Sequence, residues 1–363
     1  MCNASGMKLH PKRTSPRLQR QRLASRLLDS STAVLIAYYL YNNPSYLNPW
    51  NLANVQIWFV GFVAIRLGIV FYDHLVEFLI ETCLKSKVLP TREGGSPVRY
   101  VGLDKLSILY LSLNSFNEYV FVMRLTHYLW SGGHQNLLCW KFSQLTLGNT
   151  ILALGIMFVS MDMLYAPLHH LLHLPTLYPL IHKHHHRQHF PVRGYLDAGN
   201  EHPIEHMIGV VCTWFAVHVA EILLPSCGVL LGALNGGDTL GWTRGGGVHA
   251  LTVMLFFQLH AALAMLNHSP YSVQFSLPVM GSARLFGSLD KTTHVSTLMS
   301  RMITGQWFRY SVEHHEMHHR KFRCNYGQYC MLYDLLMGTF LEYEGSMTAS
   351  EIDTGKKTQI AQR

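Results

Sequence analysis

Three short runs of this chain are crowded with imidazole. They are His169-His170-Leu171-Leu172-His173, His182-Lys183-His184-His185-His186 and His314-His315-Glu316-Met317-His318-His319. In the first, His169 and His173 stand four apart and share one face of a helix. In the second, His182, His185 and His186 are spaced i, i+3, i+4 and are expected to converge on one helical face, with His184 pointing elsewhere. His315, His318 and His319 repeat that spacing in the third run. Crowded imidazoles are costly in an apolar setting unless something binds them, and metal is the usual occupant. Two runs of identical spacing, far apart in the chain, are hard to obtain by chance. Together the three runs supply enough donors for two metals. Asp162, two turns before His169, is expected to accept a ring N–H from a ligand and fix its tautomer. His202, His206 and His268 occur singly, and each reads equally well as a structural histidine or a ligand.

The ligand type narrows the metal. Imidazole suits iron, copper, zinc and nickel. A zinc site needs only about three or four ligands, so a larger set points to two metals with open positions. Open positions on iron admit dioxygen. The seven cysteines are odd in number and include no Cys-x-x-Cys pair, so they read as reduced and structural. No Gly-x-Gly-x-x-Gly fingerprint or haem-binding module is recognisable. Electrons for oxygen chemistry must then come from a partner.

These residues need elements to carry them. The chain has 363 residues, 49% of them hydrophobic and 14% charged. Soluble domains carry roughly 25% charge, so a membrane solvent is the simple explanation. The mean hydropathy is +0.12. Phe142–Met161 has no Asp, Glu, Lys or Arg and suits a span of about 20 residues. Val248–Leu266 is the second good span, and it places His268 at its end. Met207–Leu234 is interrupted by Glu221 and Pro225 and is expected to be a broken helix or a re-entrant pair. Ser31–Leu40 reads as a short leading helix, while Trp58–Cys83 and Leu106–Trp130 are apolar stretches with charges inside.

Lys8, Lys12, Arg13, Arg17, Arg20, Arg22 and Arg26 precede the first acid, Asp29. This arm fits positive-inside orientation. A cleaved organelle transit peptide is the alternative. No basic, aromatic-interleaved domain follows, so no nucleic-acid partner is expected. The expected divisions are a basic arm at 1–30, apolar helices at 31–141, a domain bearing the histidine runs at 142–345 and a polar tail at 346–363.

At the level of ordered motifs the chain resembles the fatty acid hydroxylase / sterol desaturase superfamily of membrane-bound histidine-box oxygenases. The resemblance lies in Tyr165-x-x-x-His169-His170-Leu171-Leu172-His173-Leu174-Pro175, Leu177-Tyr178, His182-Lys183-x-His185-His186 and His202-Pro203-Ile204-Glu205. It continues in Asn267-His268-Ser269, His315-Glu316-x-His318-His319-x-x-Phe322-x-x-Asn325-Tyr326-Gly327, Asp334 and Gly338-Thr339. It covers roughly Asp162 to Phe340. The family commonly has Arg at the position of His170 and Trp at that of Tyr333. Asn325–Gln328 looks like sterol C-5 desaturases, whereas the His-Pro-x-Glu run is shared by methyl sterol oxidases and several hydroxylases.

The resemblance implies an all-α, multi-pass transmembrane helical bundle with a cytosolic-side cap carrying the boxes. It implies iron ligation by His169, His173, His182, His185, His186, His268, His315, His318 and His319, with His202 and His314 as further candidates. It also implies two iron ions, dioxygen as co-substrate, and electrons from NAD(P)H through a b-type cytochrome or reductase. The expected activity is hydroxylation or desaturation of a lipid, a sterol being favoured, in a membrane and first of all the endoplasmic reticulum. A competing reading takes His315-Glu316-x-x-His319 as the motif of a membrane zinc metalloprotease with Glu316 as general base. That leaves the other boxes without a purpose. A third reading, a His-rich metal transporter, lacks intramembrane acidic partners along a path.

Overall fold

The structure, a computed structural model, describes residues 75, 78, 79, 87, 88, 102–133, 137–187, 194–234, 247–269, 271–276 and 309–343. The arm at 1–30, the helix expected over Ser31–Leu40, almost all of Trp58–Cys83 and the tail from 346 lie outside the described residues.

The chain is mostly helical. In chain order the helices are α1 (Lys105–Trp130), α2 (Leu147–Leu172), α3 (Tyr195–Ala198), α4 (Pro203–Leu234), α5 (Ala250–Leu266), α6 (Val312–Lys321) and α7 (Leu332–Met337). Short strands β1 (Lys87–Val88), β2 (Leu138–Cys139), β3 (Val248–His249), β4 (Tyr271–Ser272), β5 (Gln274–Ser276) and β6 (Arg309–Ser311) punctuate them. They form three two-stranded sheets: β1 with β4 and β5 with β6 antiparallel, and β2 with β3 parallel. The all-α expectation therefore needs this small correction.

Helix α2 begins where the side chain of Thr146 accepts the Asn149 N–H. It continues through Pro167 to the histidine pair in its last turn. Helix α4 continues unbroken through Glu221 and Pro225. The break or re-entrant pair expected there does not form. The buried Glu221 carboxylate accepts bonds from Tyr128 and His218, so the charge is satisfied without interrupting the helix.

Two helices, Leu147–Leu172 and Pro203–Cys227, are long and apolar enough to cross a membrane. Ala250–Leu266 is apolar but shorter. Among the described residues the pairing of α2 with α4 is the most extensive. Cys212, Ala216 and Ala220 repeat every fourth residue along α4, all fully buried, and lie in one core with Ala153, Met157 and Met161 of α2. Small residues on one stripe let two helix backbones approach closely. Val253 and Phe256 of α5 and Leu125 and Leu129 of α1 join the same core.

This packing sorts the helix ends. The C-terminal ends of α2 and α5 and the N-terminal end of α4 bear the histidines, while the β2–β3 pair joins the segments leading into α2 and α5. Strand β6 runs directly into α6 and pairs with β5 in the register Gln274↔Ser311. The Val312 N–H also donates to the Val273 carbonyl at 3.1 Å. The third histidine run is thereby held against the segment that follows His268.

Candidate metal centre

Two groups of imidazoles meet at this end of the bundle. One consists of His169, His173, His182, His186 and His318, the other of His185, His268, His315 and His319. Within each group the ligand atoms lie within 4.8 Å of one another. All nine rings are buried except His173, which is partly so. The groups share a wall: the rings of His186 and His319 are 4.5 Å apart.

Each long run feeds both groups, which corrects the expectation of three rings converging on one face. His182 and His186, four apart, enter the first group, and His185 enters the second. In the third run the roles are exchanged, with His315 and His319 in the second group and His318 in the first. On α6 this follows from helix geometry. Residues i and i+4 sit nearly above one another, and i+3 lies on the other flank. The second run winds as a short 3-10 helix, His182–Arg187, rather than the α-helix expected. It is tied to its surroundings by His184 on Asn200 at 2.8 Å and Arg187 on Asp104 at 3.0 Å. His184 thus points away from both groups, as its spacing predicts.

Ring tautomers show what the centre can do. A carbonyl oxygen only accepts, so a ring nitrogen facing one carries the proton. The Nδ1–H of His169 donates to the Tyr326 carbonyl at 2.9 Å, and that of His318 to the Cys324 carbonyl at 2.8 Å. The Nδ1–H of His268 donates to the Ala264 carbonyl at 2.9 Å, and that of His182 to the Glu205 carboxylate at 2.6 Å. Every Nε2 of these four rings therefore presents a bare lone pair.

Those lone pairs face other ring nitrogens. The Nε2 atoms of His169 and His182 are 3.0 Å apart, those of His182 and His186 2.8 Å, and those of His186 and His318 3.1 Å. In the second group His185 and His268 are 3.3 Å apart, His268 and His315 3.3 Å, and His315 and His319 3.1 Å. Two bare lone pairs at such range repel unless a cation lies between them. Donors about 2.1 Å from one ion are roughly 3.0–3.4 Å apart at right-angle to tetrahedral geometry, so the residues fit a metal in each group. The Nε2 of His173, buried and without a hydrogen-bond partner, adds a fifth donor to the first group.

Burial keeps the donors neutral. It pushes His173, His182, His185, His186, His315, His318 and His319 below the ordinary histidine range, and neighbouring imidazoles push them further. Neutral imidazole is the ligating form.

Two expected ligands lie elsewhere. The Nδ1 of His202 accepts the Ile204 N–H at 3.1 Å, at the start of α4, and its ring packs edge-on against Tyr110. His314 faces Phe340 and lies 3.8 Å from Glu342. Each neighbours a functional segment, but its ring is turned out of both groups. The Nδ1 of His206 pairs with Glu201 at 3.0 Å, the structural role open to it from the start. Asp162 does not orient a histidine. Its carboxylate accepts backbone N–H groups from Gln328, Tyr329 and Cys330. Glu205 performs the orienting task instead, and it was visible in sequence only as part of His202-Pro203-Ile204-Glu205. The Tyr326 and Cys324 carbonyls carry no sequence signal, because every residue has one.

Glu201 and Glu205 also lie within reach of His185. Glu316 is buried and paired with Arg320, one turn on along α6, and belongs to neither metal group. Cys139, Cys212, Cys227, Cys324 and Cys330 form no disulfide among the described residues. Comparison with known proteins finds no match for this chain among family models, curated proteins or solved structures.

Proposed function

We propose that this chain is a membrane-bound, non-haem di-iron oxidoreductase that hydroxylates or desaturates a lipid, with a sterol as the favoured substrate. The observation that carries this reading is the pair of adjoining all-imidazole groups, in which His169, His182, His268 and His318 turn their ring protons outward. Nine neutral nitrogen donors exceed what one zinc ion takes, and the absence of thiolate in either group fits iron. When bound, such a metal pair supplies reduction of dioxygen and oxidation of an unactivated C–H bond.

The chain's own residues supply position and environment. Glu205 and the carbonyls of Tyr326, Cys324 and Ala264 hold their rings with Nε2 inward. The rings of Tyr178 and Tyr326 lie against the first group and, with Phe322 beside His186, shield it from water. The balance for hydroxylation is one dioxygen, two electrons, two protons and one C–H bond, giving one alcohol and one water. Desaturation uses the same inputs, removes two hydrogens and gives two waters. Substrate position selects between them, since a displacement of about 1 Å costs 10²-fold in rate. The electrons come from NAD(P)H through a reductase or b-type cytochrome.

A multi-pass arrangement is supported by the outer faces of the helices. Only 28% of the most apolar stretch of α2 and 39% of that of α4 are buried. Ile151, Val211, Phe215 and Ile222 stand exposed, where a soluble core helix would cover them. The endoplasmic reticulum is the membrane we favour. The zinc-protease reading is opposed by Glu316, whose carboxylate is engaged by Arg320.

The test is metal analysis of the purified chain, followed by turnover in lipid vesicles with a reductase and NAD(P)H. Two irons per chain and an oxidised lipid product are expected, and His185→Ala should abolish the product. One zinc per chain with Glu316-dependent proteolysis, or full lipid oxidation by His185→Ala, would overturn the proposal. Comparing lipids of cells with and without the protein identifies the substrate.

A further inference from the structure

We infer that Asp162 and Asp334 are positioning residues for the first metal group alone, acting through the loop Cys324–Cys330 that they strap into place. This rests on the two-metal reading above. The loop's amides are divided between two fully buried carboxylates. Asp162 accepts the N–H groups of Gln328 at 2.7 Å, Tyr329 at 3.3 Å and Cys330 at 2.8 Å. Asp334 accepts those of Tyr326 and Gly327, each at 2.8 Å, together with the Thr339 hydroxyl at 2.7 Å. Five consecutive amides, 326 to 330, are thus oriented by two side chains.

The strap needs a glycine at its centre. A Cβ on Gly327 would collide with the Cys330 carbonyl and come within 3.0 Å of Asp162 and 3.2 Å of Asp334. Asn325, at φ 54°, fastens the near side of the loop by donating to the carbonyls of His314 and Leu341 and accepting the Leu341 N–H.

With its amides fixed, the loop aims its carbonyls. Tyr326 and Cys324 receive the Nδ1–H of His169 and of His318, both members of the first group. The ring partner in the second group is different: His268 donates to Ala264, four residues earlier in the chain and within α5. The two metal sites are therefore built unequally. The first depends on a loop held by carboxylates from α2 and α7, whereas in the second His268 takes its ring orientation from α5 itself.

The experiment strips metal from the purified full chain and titrates it with ferrous ion without oxygen, comparing wild type with Asp162→Asn, Asp334→Asn and Thr339→Val. Loss of a positioning partner of this kind costs about tenfold or more in metal affinity. Wild type should bind two ions tightly. Each Asp variant should keep one tight ion and bind the other at least about tenfold more weakly. Thr339→Val, which removes one bond to Asp334 and spares the fold, should weaken the same ion to a smaller degree. Helical content by circular dichroism identifies variants that have not folded, in which case Thr339→Val decides. A general structural role would weaken both ions together, and that result, or two unweakened ions in every variant, overturns the inference. Fewer than two ions in wild type would instead overturn the two-metal reading, and this assignment with it.

Discussion

Glu205 shows how much one residue outside the ligand set can decide. Its carboxylate accepts the His182 Nδ1–H at 2.6 Å and so forces the lone pair of that ring inward. His182 lies close to both His169 and His186, so its orientation affects three donors at once. Glu205→Gln keeps the shape but can turn an amide donor towards the ring. Its expected effect is a loss of about 10–100-fold in metal affinity, read by titration of the metal-free protein. Unchanged affinity would mean that His182 is held by its packing alone. At this scale most members of the two imidazole groups were legible, because histidine spacing is written in the chain. His202 and His314 were not separable from those members by spacing, and only ring direction leaves them outside both groups.

Among the elements, the α2–α4 pairing sets the distance between the first histidine run and Glu205. The stripe Cys212, Ala216, Ala220 permits that close approach. Ala216→Leu inserts methylene groups into a filled contact and should cost about 1–3 kcal/mol, seen as a lower melting midpoint of the detergent-solubilised protein. The same change at exposed Val211 should leave the midpoint nearly unmoved. The uncharged run Phe142–Met161 announced a helix, but its true course, Leu147–Leu172, reaches onward to carry His169. Pro225 and Glu221 suggested a break in α4, yet the helix runs through both, with the Glu221 carboxylate satisfied by Tyr128. The strand pairs escaped notice because runs of two or three residues have no readable period.

Across the whole molecule, folding without metal gathers neutral imidazoles that the unfolded chain would protonate. Burial, and then neighbouring rings, lower the seven histidines cited above, so the unfolded state binds more protons below about pH 6.5. Stability of the metal-free protein is therefore present above that pH and is lost as pH falls towards the depressed values. Melting midpoints measured from pH 7.5 to 5 should drop steadily, and metal should blunt the drop by occupying the lone pairs. A flat profile without metal would show that these rings remain open to water.

Amino-acid order alone was enough to specify the helical character, the apolar runs and the identity of the donors, because periodicity and residue type are local properties. It could not say that the second and third histidine runs each divide between two imidazole groups. Nor could it reassign Asp162 from a ring to a loop. Those outcomes depend on where a side chain points once distant helices have packed, and direction is a property of the folded contacts.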